Sequence, residues 1–298
     1  MGIEILNFKA KNRGCGERTV KMNEIAADGK NTRIIEADSF DLRETLDCGQ
    51  AFRFRETDDG SFEGVALGRM LRVYKDGNDI VFKGIEKAEF MSKFYRYFTL
   101  DIDYNEVKNR LSEDKYLAEA IKAHGGIRLL RQDKWECLCS FIISQNNNIP
   151  RIKGIIERLC ELFGERCDGG FAFPSAQRIA ALSAEDLAPI RAGFRAKYII
   201  DAARKTANSE IDFAALDTAV LDEARAELMK IKGVGPKVAD CALLFSCGRF
   251  EAFPRDVWIK RVAERLYPNG LPECFGEYAG IAQQYLFYHI RSGGFSQV

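Results

Sequence analysis

Residues Ile231–Arg261 read IKGVGPKVADCALLFSCGRFEAFPRDVWIKR, and this stretch decides the fold. Gly233-Val234-Gly235 is a tight turn, and Pro236 follows it. Proline suits the first position of a helix, because its ring fixes φ and its missing N–H would have no partner there. Val238, Ala239, Ala242, Leu243 and Phe245 then give an apolar face, so a helix is expected from Pro236 to Ser246. Upstream, Leu221–Ile231 reads as another short helix. Two helices joined by a glycine turn present successive backbone N–H groups to an outside anion, and a DNA phosphate is a fitting guest.

Lys237 falls in the first turn of the second helix, where the helix dipole disfavours a cation. An isolated lysine there is ordinarily a solvated one. A functional lysine would be a nucleophilic amine. An ordinary lysine, pKa about 10.4, is only on the order of 0.1% neutral at physiological pH. Lowering that value to about 7–8, through burial and the dipole, would make it reactive. Asp256 precedes a helical segment, Val257–Leu266, and suits an N-cap. A capped carboxylate stays ionised, and beside an amine it could stabilise positive charge developing on a sugar at C1′.

GVGPKVAD followed by FPRDVW resembles the helix-hairpin-helix, Gly-Pro-Asp superfamily of DNA glycosylases. Cys241 directly after Val-Ala-Asp narrows the resemblance to the 8-oxoguanine DNA glycosylase branch, as do the segments below. It implies that Lys237 is the nucleophile, Asp256 the catalytic carboxylate, and Gly233 and Gly235 part of the DNA-binding turn.

The totals are those of an ordinary globular chain: 298 residues, 46% apolar and 30% charged. Lysine plus arginine and aspartate plus glutamate both number 44. That balance argues mildly against nucleic-acid binding, so a DNA enzyme must gather its cations on one face. Nine scattered cysteines suggest buried thiols, and no four-cysteine cluster closes the C-terminus as in iron–sulfur relatives of the superfamily. His124 and His289, the only histidines, form no zinc motif. Neither a membrane-length apolar run nor a signal-peptide core is seen, so the expectation is a cytoplasmic monomer away from the membrane.

Residues 1–32 have little periodicity and read as an N-terminal extension. Residues 33–120 are expected to hold an antiparallel sheet with flanking helices, with strands at Ala51–Arg55, Phe62–Leu67, Met70–Lys75 and Asp79–Lys83. Asp59-Gly60 and Asp76-Gly77 supply hairpin turns. Residues 121–298 form the helical body, with the helix-hairpin-helix at about 221–246. The fold class is therefore α+β and mostly helical.

Within the sheet region, LDCGQAFRF (residues 46–54) resembles the segment that lines the family's base pocket. The resemblance implies that the Gly49 carbonyl accepts the N7–H that only the oxidised guanine carries. Guanine N7 is itself an acceptor, so leaving that carbonyl unpaired would cost about 1–3 kcal/mol. In FYRYFTLDIDYNEV, the aromatics Phe94, Tyr95 and Phe98, with Phe90 just before, read as core.

Asp133 and Glu136 have capping-box spacing, and Trp135, Leu138, Cys139 and Ile142 share one face of the helix that follows. It stops at Asn146-Asn147-Asn148. A second helix begins around Pro150, with Ile152, Ile155, Ile156, Leu159 and Phe163 in register, and Gly164 ends it. Ser175 and Ser183 read as further N-caps. The whole run RLLRQDKWECLCSFIISQNNNIPRIKGIIERLC resembles the 8-oxoguanine branch closely. This implies that Asn146 fills the space left by a flipped nucleotide and that Arg151 contacts the orphaned cytosine. GFRAKY resembles the family's wedge, which implies that Phe194 enters the base stack and Arg195 reads the orphaned base. In YAGIAQQYLFYHI, Gln283 and Phe287 share a helix face. The resemblance has them bond and stack on the flipped base, with Cys241 in the same pocket. Trp258, among the DNA-binding residues, stands where animal members carry a histidine, and Phe194 stands where they carry tyrosine.

The expected partner is double-stranded DNA containing 8-oxoguanine, and the expected reactions are base excision through a lysine Schiff base followed by β-elimination. Neither organic cofactor nor catalytic metal is required; a monovalent ion on the hairpin carbonyls is implied by the resemblance. Two alternatives stay open: a glycosylase of this fold for another damaged purine, and a non-catalytic helix-hairpin-helix DNA-binding subunit. Lys237 argues against the first, because the alkyl-purine branch typically lacks it, and Lys237 with Asp256 argues against the second.

Overall fold

The computed structural model describes residues 23–295. An antiparallel sheet of six strands comes first: β1 Glu24–Asp28, β2 Asn31–Ile35, β3 Phe54–Glu56, β4 Phe62–Ala66, β5 Arg69–Asp76 and β6 Asp79–Lys83. Their spatial order is β1-β2-β6-β5-β4-β3. Register follows the turns: Asp76 pairs with Asp79 around Gly77, whose φ of 63° suits glycine. In β5, Leu71 and Val73 face inward while Arg72 and Tyr74 are half-buried, the period of two expected of a sheet with one covered face.

The helices follow as α1 Leu42–Leu46, α2 Lys87–Glu89, α3 Tyr95–Tyr97, α4 Tyr104–Leu111, α5 Lys115–Ala123, α6 Lys134–Ser144, α7 Ile149–Phe163, α8 Ala176–Ala180, α9 Ala196–Ala207, α10 Leu221–Met229, α11 Pro236–Ala242, α12 Val257–Leu266 and α13 Ala279–Arg291. Most begin on side-chain caps: Asp103, Asp114, Asp133, Asn148, Ser175 and Asp256 each accept from a backbone N–H of the turn that follows. Among the described residues, no helix is long and apolar enough to cross a membrane.

Two cores result. One lies under the sheet, where Phe82 meets Phe90 and Phe98 at ring distances of 4.7 and 5.1 Å, with Tyr95 partly buried at its margin. The other fills the helical body. Arg128 joins them. It is 1% exposed, stacks 4.1 Å from the Tyr104 ring centroid, and donates to the carbonyls of Phe98, Ser39, Thr99 and Ile102. A buried guanidinium needs that many acceptors to offset its lost hydration.

Several expectations need correction. The sheet begins at Glu24, so residues 24–32 are not an extension: β1 pairs with β2, and β2 closes on β6. The alternating Ile34 and Thr32 are its buried face. The rest of the expected extension, residues 1–22, lies outside the described residues. The strand expected at Ala51–Arg55 runs Phe54–Glu56 as β3, because Gln50, Ala51 and Phe52 are drawn into the core as irregular backbone. The helix from Pro236 is α-helical only to Ala242; Leu243–Cys247 is one wider, π-helical turn. The capping box is half made: the Glu136 carboxylate turns away to Arg53. Ser183 starts no helix, because its hydroxyl and N–H both bond Asp186 in a turn. Gly164 ends α7 in an extended conformation; it is glycine because a side chain would meet the Ala172 carbonyl at 2.0 Å. The short hairpin of β7, Arg166–Cys167, and β8, Gly170–Phe171, was not anticipated.

Candidate active site

The glycine turn is held from three sides. Gly233 has φ 78°, and a Cβ on it would lie 2.4 Å from the Tyr198 ring, so no other residue fits. The Lys232 N–H donates to Asp201 of α9 at 2.8 Å, and the Arg225 guanidinium of α10 donates to buried Asp240 of α11 at 2.8 Å. Gly235 differs from Gly233: its φ of −104° is ordinary, and the space where a side chain would project is open. Unlike the capped helices above, α11 has no side-chain cap. An uncapped helix start behind a bare glycine leaves backbone donors accessible to an anion.

Lys237 leaves that turn pointing toward α6. Its Nζ lies 3.5 Å from the Ser144 hydroxyl and 5.3 Å from the Phe141 ring centroid. It pairs with no carboxylate among the described residues. Asp256 Oδ1 caps α12, accepting from the Ile259 N–H at 2.8 Å, and the side chain is half-buried. Both residues line one narrow cleft with about 50 Å³ of free volume, well below that of an open ligand pocket. Its wall is completed by Gly49, Phe141, Cys241, Phe245, Pro254, Gln283, Gln284 and Phe287. Lys237, Asp256, Gly49, Cys241, Gln283 and Phe287, expected to act together from scattered positions, thus meet in one place.

The walls are fixed by polar contacts. Gln50 anchors the Gly49 loop: its amide donates to the carbonyls of Thr45 and Arg128 and accepts from the Leu130 N–H, with distances of 2.7–2.8 Å. Gly49 has φ 91°, and Phe287 lies 3.5 Å from where its side chain would start. Gln284 donates to the Cys48 carbonyl, tying α13 to the same loop. Burial pushes the Cys241 thiol up to about 11, so it is a neutral apolar wall. Gln283 is 4% exposed, and its Oε1 has no hydrogen-bond partner among the described residues. An orphaned buried acceptor costs about 1–3 kcal/mol and is waiting for a donor.

A second cluster stands on α6, α7 and α9. The three asparagines divide the work of one sharp turn. Asn146 is exposed at its tip with φ 47°, Asn147 donates to the Ile143 carbonyl, and Asn148 caps α7. Phe194 is 50% exposed and packs edge-on against Tyr198 at 5.9 Å. Arg151 is exposed and unpaired with any carboxylate among the described residues. Arg195 is different from expectation. It is 2% exposed, and its guanidinium donates to the carbonyls of Gln145, Asn146 and Ala192 rather than facing solvent. Trp258 is 41% exposed on α12, with the Arg261 guanidinium 5.5 Å over its ring.

Sequence reasoning passed over Phe141, Ser144, Gln284 and Tyr198. Only Gln284 carried a local hint, as the neighbour of Gln283. The others act through contacts across α6, α9 and α11 that no spacing along the chain signals.

A helix-hairpin-helix, with an amine and a carboxylate lining one cleft next to it, defines a DNA glycosylase fold and site. Comparison with known proteins agrees. Residues 33–138 match the 8-oxoguanine DNA glycosylase N-terminal domain, and residues 139–271 match the helix-hairpin-helix Gly-Pro-Asp superfamily of base excision DNA repair proteins. A probable N-glycosylase/DNA lyase of Methanothermobacter thermautotrophicus is 32% identical over 243 residues, covering 70% of this chain and 75% of its own. The Clostridium acetobutylicum 8-oxoguanine glycosylase/lyase, solved with double-stranded DNA carrying cytosine opposite 8-oxoguanine, superposes with TM-score 0.85 at 37% identity, over 91% of this chain and 99% of that one. The structure of MBOgg1 with a low-affinity DNA ligand gives TM-score 0.85 at 43% identity, over 92% and 99%. The chain belongs to the 8-oxoguanine DNA glycosylase family of bifunctional N-glycosylase/DNA lyases.

Proposed function

We propose that this enzyme extrudes 8-oxoguanine from duplex DNA into the cleft, excises it with Lys237 and then nicks the strand. The single observation that carries the reading is the buried, unpartnered Gln283 Oε1 in a cleft that also holds Lys237 and Asp256. A purine's Watson–Crick edge offers guanine-type N–H donors to that oxygen, Phe287 offers a stacking face, and the Gly49 loop supplies the carbonyl for N7–H. Extrusion is required because neither C1′ nor the base edge can be reached inside the stack.

In the reaction, neutral Lys237 attacks C1′. The C1′–N9 bond breaks and the base leaves with the electron pair, taking up a proton. Asp256 stabilises positive charge on the sugar as that bond lengthens. Loss of the ring oxygen from C1′ gives the Schiff base; removal of a C2′ proton then expels the 3′ phosphate by β-elimination. The carbonyls of Gly233 and Val234 accept no backbone N–H among the described residues, an all-oxygen set that fits the monovalent ion implied for the hairpin. No step runs through that ion.

The partner is double-stranded DNA, met by a monomer, and cytosine is the preferred opposite base, with Arg151 presented beside the Asn146 turn. The test is incubation with duplexes carrying 8-oxoguanine, 3-methyladenine or guanine at one position, with and without borohydride. Release and trapping on the 8-oxoguanine duplex alone is the expected result. Release of the alkylated purine instead, or binding without release, would replace this reading.

A further inference from the structure

The face of α13 that enters the cleft continues beyond it. Spacing of four sets Gln283, Phe287 and Arg291 in a row that passes from buried through half-buried to exposed. The Arg291 guanidinium carbon lies 5.2 Å from the Phe287 ring centroid. Its Nη1 is 3.5 Å from where a Gly49 side chain would start. Gly49 and Phe287 line the cleft and Arg291 does not, so the guanidinium stands on the rim.

An arginine in a helix's last turn commonly serves the free carbonyls there. That task is already done: the N–H groups of Ser292, Gly293 and Gly294 bond the carbonyls of Tyr288, His289 and Ile290. Among the described residues, no carboxylate pairs with Arg291. A cation held in place by a ring, with no hydrogen-bond acceptor among the described residues, is poised for an anion that arrives with the ligand.

We propose that Arg291 grips a backbone phosphate adjoining the extruded nucleotide. The inference rests on the reading that the cleft receives a flipped base. Such a base is covalently tied to its sugar and phosphates, which it draws to the rim. Undamaged, stacked DNA does not bring a phosphate there, so the contact favours the extruded state specifically.

The experiment measures binding of wild type, Arg291→Gln and Arg291→Lys to an undamaged duplex and to a duplex with a tetrahydrofuran abasic site, across 50–200 mM salt. Single-turnover excision of 8-oxoguanine is followed on the same preparations. Expected for Arg291→Gln is about a tenfold loss on abasic-site DNA, with a log affinity–log salt slope shallower by about 0.9, and unchanged binding to undamaged duplex. Arg291→Lys should keep the slope. An equal loss on undamaged DNA would make Arg291 a general backbone contact and overturn the proposal. Slower excision with abasic-site binding and slope unchanged would reduce it to a support for Phe287, and no change at all would also overturn it. A wild type that fails to excise 8-oxoguanine would instead overturn the reading on which the proposal rests.

Discussion

The Arg195 guanidinium donates to the main-chain carbonyl of Asn146 at 2.8 Å. Asn146 is in the left-handed region, which asparagine tolerates but does not favour, in a turn that the Asn147 and Asn148 side chains also hold. Arg195 also bonds the Gln145 and Ala192 carbonyls and lies 4.5 Å from the Phe194 ring centroid. One buried guanidinium therefore links the Asn146 tip to the exposed Phe194 ring.

The two arginines near this turn should accordingly behave differently. Arg195→Ala is expected to slow excision by a common factor opposite all four bases. Arg151→Ala should instead shrink the preference for cytosine, whose N3 and O2 accept from a guanidinium. A good polar match gives about 1–3 kcal/mol of discrimination, a ratio of roughly five or more. Single-turnover rates opposite each base decide this; wild-type rates within about twofold of one another would remove cytosine recognition altogether.

Lys237→Gln should abolish the borohydride-trapped protein–DNA adduct while preserving the fold, since the side chain makes a long contact to Ser144, lies over Phe141 and meets the Cys241 thiol, with no ion pair to lose among the described residues. The adduct is read on a denaturing gel. An undiminished band would mean that another amine attacks.

Asp256 has two tasks that one substitution separates. Asparagine caps helices about as well as aspartate. Asp256→Asn should thus melt like wild type and bind abasic-site DNA, yet excise more slowly by orders of magnitude, because the charge proposed to stabilise the sugar is gone. A near-normal single-turnover rate would leave Asp256 as a cap alone.

Phe287→Ala should slow 8-oxoguanine excision by about 5–100-fold, the equivalent of 1–3 kcal/mol of stacking, and leave abasic-site binding nearly intact. Parallel losses on both DNAs would indicate a disturbed α13.

A pH effect is expected from the join between sheet and body. Burial pushes the Glu136 carboxyl up to about 7, with Arg53 opposing. A raised acid binds protons more tightly in the folded state, so its contribution to stability is full below the unfolded value near 4.3 and falls as pH rises toward 7. Glu136→Gln should flatten the melting temperature between pH 5 and 8 relative to wild type. An unaltered profile would show that Arg53 offsets the burial completely.

The parts of the site that could be read in the sequence are those written in local chemistry. Gly233, Pro236 and Lys237 announce a turn and a helix start, and Asp256 announces a cap, each by residue type and spacing. The meeting of Gly49 with Phe287 could be expected only through resemblance, because nothing in either segment specifies the other. Strand β1 escaped because its residues alternate weakly and are mostly exposed; pairing with β2, not burial, makes it a strand. Arg195 was misjudged for a related reason. A basic residue in a basic segment reads as a surface contact, and its burial depends on carbonyls from a turn about fifty positions away.

The Tyr198 ring lies against Gly233 and is met edge-on by Phe194, so one side chain links the hairpin to the exposed aromatic. The proposed wedge thus stands at a set distance from the hairpin. In the proposed complex, a duplex seated on the hairpin meets the wedge at a set offset and must bend to stay seated. Bending energy depends on local stacking, so a weakened step yields where an intact one resists. On that reading, the stiffness of the DNA would be felt before any base has left the helix.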